Sequence, residues 1–240
     1  MVTAFAWGAV GAATLLFGAL IAYRFSLSRI VIAVVMAVGT GTLIGSVSFE
    51  LIDEALKTGS VVGVAILVLV GAAAFTGGDW LIGRYGGAGR KDTTGAQARG
   101  SPLAIVFGSV LDGIPESFVL GLTVVQGGVS PALLAGVMLS NLPEGMASSN
   151  GLKASGWPLR RVALMWTVVL MMSAVSAAAG YLLLDPTGGN ASALAQAFAA
   201  GALLAMLANT LLPEAYAVEG VFTGSLVVAG FAVSLLLSAI

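Results

Sequence analysis

The charged residues of this chain are gathered into a few short joints, and the stretches between them are too long and too apolar for the interior of a soluble domain. Residues 1–23 carry no charge, nor do 30–49, 61–78, 162–184 and 191–213. A helix rises about 1.5 Å per residue, so about 20 apolar residues match the roughly 30 Å hydrocarbon layer of a bilayer. That rule predicts eight spanning helices, at 4–23, 30–56, 61–83, 102–125, 131–152, 162–184, 191–215 and 221–238. The expected fold is all-α: a polytopic membrane protein with one transmembrane domain covering 1–240 and no soluble domain. With 58% hydrophobic and 9% charged residues, the chain lies outside the soluble range.

Lysine and arginine give the expected orientation, because they accumulate in cytoplasmic loops. Arg24 and Arg29 fall in the first connection, Arg84, Arg90, Lys91 and Arg99 in the third, and Lys153, Arg160 and Arg161 in the fifth; Lys57 alone falls on the other side. Both termini are then outside the cytoplasm, helix 4 runs outward, helix 5 runs inward, and the glycine-rich, basic connection 84–100 is a flexible cytoplasmic linker. The expected location is the cell (plasma or inner) membrane. No basic region precedes the first apolar run, so it reads as a retained span and not as a cleaved signal. Ten cations spread over so much apolar sequence form no basic face for nucleic acid.

Two carboxylates interrupt the fourth span. Asp112 and Glu116 stand one helical turn apart in Asp112-Gly-Ile-Pro-Glu116-Ser, and Ser109, Asp112, Glu116 and Thr123 make one polar stripe. In the fifth span Ser140-Asn-Leu-Pro-Glu144-Gly repeats the pattern, with Ser140 or Asn141, Glu144 and Ser148 on a stripe of its own. A charge at the bilayer centre costs about 2.5 to 3.5 kcal/mol on insertion scales, so the stripes are expected to avoid lipid by facing one another across a hydrated crevice. Pro115 and Pro143 cannot donate to the carbonyls of Leu111 and Leu139, which predicts a kink and a freed oxygen in each helix. Gly113 and Gly145 would allow close backbone approach. No cation is predicted inside the membrane beside these three acids. Protons, a divalent cation, or both in alternation would have to neutralise them.

A second, weaker pattern links the ends of helices 2 and 7. Glu54 and Ala55 align with Glu214 and Ala215 on helices of opposite expected direction, as inverted repeats in secondary transporters require. Glu50, Asp53 and Glu54 could gather cations at an entrance, and Asn209 with Glu214 could form an exit station; interfacial charge is the plainer reading of both. Asp79 reads as a snorkelling or capping residue, Met138 and Met146 as apolar filler, Asp92, Asp185 and Glu219 as loop charges, and Gly41-x-x-x-Gly45 as a close helix contact.

The paired motifs on helices 4 and 5 resemble the x-N-x-P-E-G signatures of the Zrt/Irt-like (ZIP) metal transporters, and the eight spans, outward termini and long third loop fit the same family. The resemblance implies that Glu116 and Glu144 are central metal ligands, that Asp112 stands where histidine is usual, and that Ser140 and Asn141 occupy the first two places of the helix 5 motif. It also implies a homodimer, with helices 1, 4, 5 and 6 moving as an elevator against helices 2, 3, 7 and 8. Gly113 replaces the usual asparagine and helix 6 carries no acid, so one principal metal is expected. An all-oxygen site with Asp112 shifts preference toward manganese, iron(II) or magnesium, while zinc stays among the leading substrates and cadmium belongs to the same class.

The function expected from these readings is divalent cation transport by alternating access, with no resident cofactor. A P-loop is absent from the sequence. The alternatives are a proton-coupled carrier of a small organic solute and, more weakly, an intramembrane enzyme, for which H-E-x-x-H is impossible without histidine.

Overall fold

The computed structural model describes residues 1–25, 28–87, 102–125, 127–183 and 190–239. These form eight helical rods and, among the described residues, no strand: α1 (Val2–Arg24), α2 (Arg29–Thr58), α3 (Val61–Ile82), α4 (Pro102–Val125), α5 (Pro131–Ala154), α6 (Leu159–Leu183), α7 (Asn190–Glu219) and α8 (Phe222–Leu237). Six of them, α1 to α4, α6 and α7, are long and apolar enough to cross a membrane. Polarity keeps α5 out of that group, and α8, at 16 residues, is too short for it. Within α2 and α7 the helix widens to π-helix over Val47–Ile52 and Leu207–Leu211. The connection expected at 84–100 begins as a helical continuation of α3, Gly83–Gly87. The rest of it, with Arg90, Lys91, Asp92 and Arg99, lies outside the described residues, as does Asp185.

Helix starts follow capping chemistry. The hydroxyls of Ser28, Ser60 and Ser130 accept from the backbone N–H groups of Val31, Gly63 and Leu133, and Pro131 fills the first position of α5. The turn from α4 to α5 passes through Gly127 and Gly128 at φ of 122° and 148°, a region closed to ordinary side chains.

Burial does not follow hydropathy. The most polar helix, α5, has Ser140, Asn141, Glu144, Ser148 and Ser149 all buried. By contrast only 17% of the apolar window of α3 is buried, against 61% in α4. Lipid supplies no hydrogen bonds, so a helix with a glutamate and several serines belongs in the middle and an all-apolar one can face the hydrocarbon.

Four helix contacts share one device. A side chain at Gly18 on α1 would meet the Leu142 carbonyl oxygen of α5, and one at Gly145 would meet that of Leu15. The same holds between α4 and α6 (Gly121 on Ala177, Gly180 on Phe118), between α2 and α8 (Gly41 on Val227, Gly230 on Val38), and between α3 and α7 (Gly71 on Phe198, Gly201 on Val68). Each carbonyl belongs to the residue three positions before the partner's glycine. Two bare backbones therefore touch, and dispersion with Cα–H···O contacts supplies the attraction that lipid-like side chains cannot. The Gly41-x-x-x-Gly45 motif is one half of such a pairing, with Gly45 packed on Ser234 of α8.

Candidate metal centre

Asp112 and Glu116 on α4, with Ser140, Asn141 and Glu144 on α5, are each at most 4% exposed, and Ser109, Thr123 and Ser148 on the same stripes are buried as well. Apart from this polar zone α4 and α5 touch only sparingly; α4 leans on α6, while α5 leans on α1 and α2.

Glu116 and Ser140 are brought together across that gap. The Ser140 hydroxyl lies 3.1 Å from Glu116 Oε1 and 2.9 Å from the Val137 carbonyl oxygen. A hydroxyl has a single proton to donate. Turned toward Glu116 it steadies the carboxylate; turned toward Val137 it leaves its lone pairs facing Glu116, ready to share a cation with it. The serine can therefore change partner without leaving a buried donor unsatisfied.

Asn141 is engaged on another side. Its Nδ2 donates to the Gly11 carbonyl of α1 over 3.3 Å, an oxygen that also accepts the Thr14 hydroxyl at 2.7 Å. The amide thus ties α1 to α5, and Oδ1 is the atom with which it could reach a ligand. The oxygen freed by Pro143 also differs from expectation: the Leu139 carbonyl lies against Gly39 of α2 and serves packing there. Both helices continue through their prolines. Gly145 allows the expected close approach, onto α1, whereas Gly113 faces the Ser173 hydroxyl of α6.

Among the described residues no three acidic side chains converge tightly enough to hold a metal by themselves. Asp112, Glu116 and Glu144 share a buried zone without forming a closed cage. A cation there would complete its shell with the Ser140 hydroxyl, backbone carbonyls or water, the oxygen donors that hard divalent ions accept.

The candidate entrance divides. Glu50 and Glu54 line an open cavity of about 440 Å³, together with Thr123 of α4 and the turn leading into α5. The Ser130 hydroxyl donates to Glu50 Oε1 at 2.5 Å. Asp53 is not part of the cavity wall; it lies 3.9 Å from Lys57, which also pairs with Glu54 at 2.6 Å. At the other candidate station Asn209 Nδ2 donates to Thr76 of α3 over 3.4 Å, and Glu214 is half-buried in the stretch of α7 after its π segment. Met146 packs into the apolar core, as a filler residue would.

Two contacts escaped the sequence reading. Trp166 of α6 donates its indole N–H to Ser149 of α5 at 2.9 Å, and Lys153 bonds the carbonyls of Ala22 and Tyr23 at the end of α1. A Ser-Pro pair before an apolar run marks Ser130 as a cap, but nothing local marks its bond to Glu50, 80 positions away. No protein-family model matches the chain, and no curated protein matches it.

Proposed function

We propose that this protein carries divalent metal cations across a membrane through the carboxylates of α4 and α5, and that it is a divergent ZIP-type carrier of eight spans. The observation that carries the reading is the buried pairing of Glu116 with Ser140 between two proline-containing helices, with Asp112 and Glu144 buried on the same two helices. Acids at that depth cost too much to serve as filler, and a doubly charged ion offsets their repulsion. Arrival of the ion turns the Ser140 proton to Val137, and departure turns it back. Manganese, iron(II) and zinc are the leading cargoes, because every side chain at the site offers oxygen and none is histidine.

An inverted repeat also has support. Gly41 and Gly201, Val47 and Leu207, and Glu54 and Glu214 stand 160 positions apart, so the glycine contact, the π segment and the acid of α2 recur in register on α7. Exchanging α1 with α6, α2 with α7, α3 with α8 and α4 with α5 turns each glycine pair into another. Interchangeable halves around a central site are the architecture of alternating access. The α5 helix counts as a span on this reading because its polar face is covered by protein.

The test is uptake of radiolabelled manganese and zinc into sealed vesicles containing the purified protein. Saturable uptake is expected, lost together with metal binding in Glu116→Gln and Glu144→Gln. Undiminished binding in both variants, or transport of an organic solute with no metal present, would contradict the proposal.

A further inference from the structure

We infer that the hydrogen bond between Glu50 and Ser130 is a latch that shuts the mouth of the transport path, and that a cation arriving at Glu50 opens it. That the path carries cargo, and which cation opens it, rest on the carrier reading above; the bond and the plug beneath it do not. The cavity beside Glu50 reaches Thr123, which shares a stripe with Glu116 and stands seven residues, or about 10 Å, further along α4. Its inner end therefore points down the polar stripe toward the buried carboxylates. Between cavity and carboxylates the path is dry: Val119 and Leu120 of α4, Leu133 and Val137 of α5, and Leu43 and Val47 of α2 are fully buried in one apolar cluster. A hydrated ion cannot cross that plug while α2 lies against α5 and these side chains stay together.

The latch sits directly at the head of the plug. Glu50 belongs to the π-helical segment of α2 that begins at Val47, and Ser130 caps α5 one turn before Leu133. With the bond made, the start of α5 is held on α2 and the cluster stays closed. Glu50 also faces the open cavity, so a divalent cation competes with the Ser130 hydroxyl for the same carboxylate. When the cation takes it, Ser130 still caps Leu133 and α5 keeps its helical start. Release thus costs the helix nothing and removes a tie between α2 and α5.

The chain contains no cysteine, so Val137→Cys places a lone thiol in the plug and Thr123→Cys places a control thiol at the cavity. Each is introduced into full-length protein in sealed vesicles and treated with a membrane-impermeant thiol reagent. In the Glu50→Ala background the plug thiol should react at least tenfold faster while the control thiol keeps its rate. Ser130→Gly should do the same, since glycine is a serviceable helix cap. Glu50→Gln, whose amide oxygen can still accept from Ser130, should stay within twofold of the unmodified latch and lose the acceleration that millimolar manganese gives the parent. Plug reactivity unchanged in both Glu50→Ala and Ser130→Gly would overturn the latch, and a parent indifferent to manganese would overturn its opening by cations. Because the thiol readout needs no transport, absent metal flux with a working latch would count against the carrier reading alone.

Discussion

Ser140 illustrates how little chemistry a membrane site needs when each atom has two uses. Its proton lies within reach of both a carboxylate and a carbonyl, and under the proposed function the exchange between them would prepare Glu116 for a cation. Ser140→Ala removes one weak oxygen ligand and one hydrogen bond. A net loss of about 1 kcal/mol, or roughly fivefold in Kd for manganese, is expected by titration of the purified protein. Loss of all binding would mean that Ser140 is structural, and no change would place the cation elsewhere. Asp112→His adds a softer nitrogen ligand and should raise the zinc-to-manganese affinity ratio in the same titration; an unaltered ratio would remove Asp112 from the ligand set. The burial of Asp112, Glu116 and Glu144 was legible because a charge amid apolar residues must be kept from lipid. The engagement of Asn141 with Gly11 was not, because a primary amide is as good an anchor as a ligand and its choice depends on which helix lies beside it.

At the scale of elements, hydropathy located the helices but could not tell which glycines matter among the 33 in the chain. Gly145 lies against the backbone of Leu15, whereas Gly77 and Gly224 have open space where a side chain would go. Both kinds look alike in sequence, because the distinction lies in another helix. Gly145→Leu should separate α1 from α5 and destabilise the protein by about 3 kcal/mol or more, above the usual range for overpacking because the obstructing atoms are backbone. Gly77→Ala should change stability by less than about 1 kcal/mol, in the stabilising direction that helix propensity dictates. Thermal unfolding of the three proteins in one detergent compares them directly, and equal midpoints for Gly145→Leu and the parent would refute the crossing. The π segments were illegible for a related reason: neither VSFELI nor LANTL carries a local signal for the wider turn, and only their recurrence at equal spacing gives them meaning.

For the whole molecule the question is sidedness, and charge and aromatic placement bear on it together. Arg24, Arg29, Arg84, Lys153, Arg160 and Arg161 stand at helix ends that share one side if successive helices reverse, and Lys57 stands at the opposite end, where Asp53 and Glu54 balance it. The basic side is also the aromatic one: Arg84 stacks on Trp80 at 4.2 Å, Arg161 on Trp157 at 4.4 Å, and Lys153 over Tyr23 at 5.5 Å. Rings that hold cations suit the headgroup layer, where an apolar body and a charged tip are both satisfied. An excess of cations on one side opposes translocation of those loops, so the proposed orientation has them in the cytoplasm and the Glu50 cavity outside, where a cation entering the cell would first meet an acid. Thr58→Cys, at the last residue of α2, should therefore react with an impermeant thiol reagent in intact cells, and Ser155→Cys, in the turn after α5, should react only once the membrane is opened. The reverse pattern would invert the molecule and make the Glu50 cavity an exit, and equal reaction of both would mean that the chain does not sit in the membrane in one orientation.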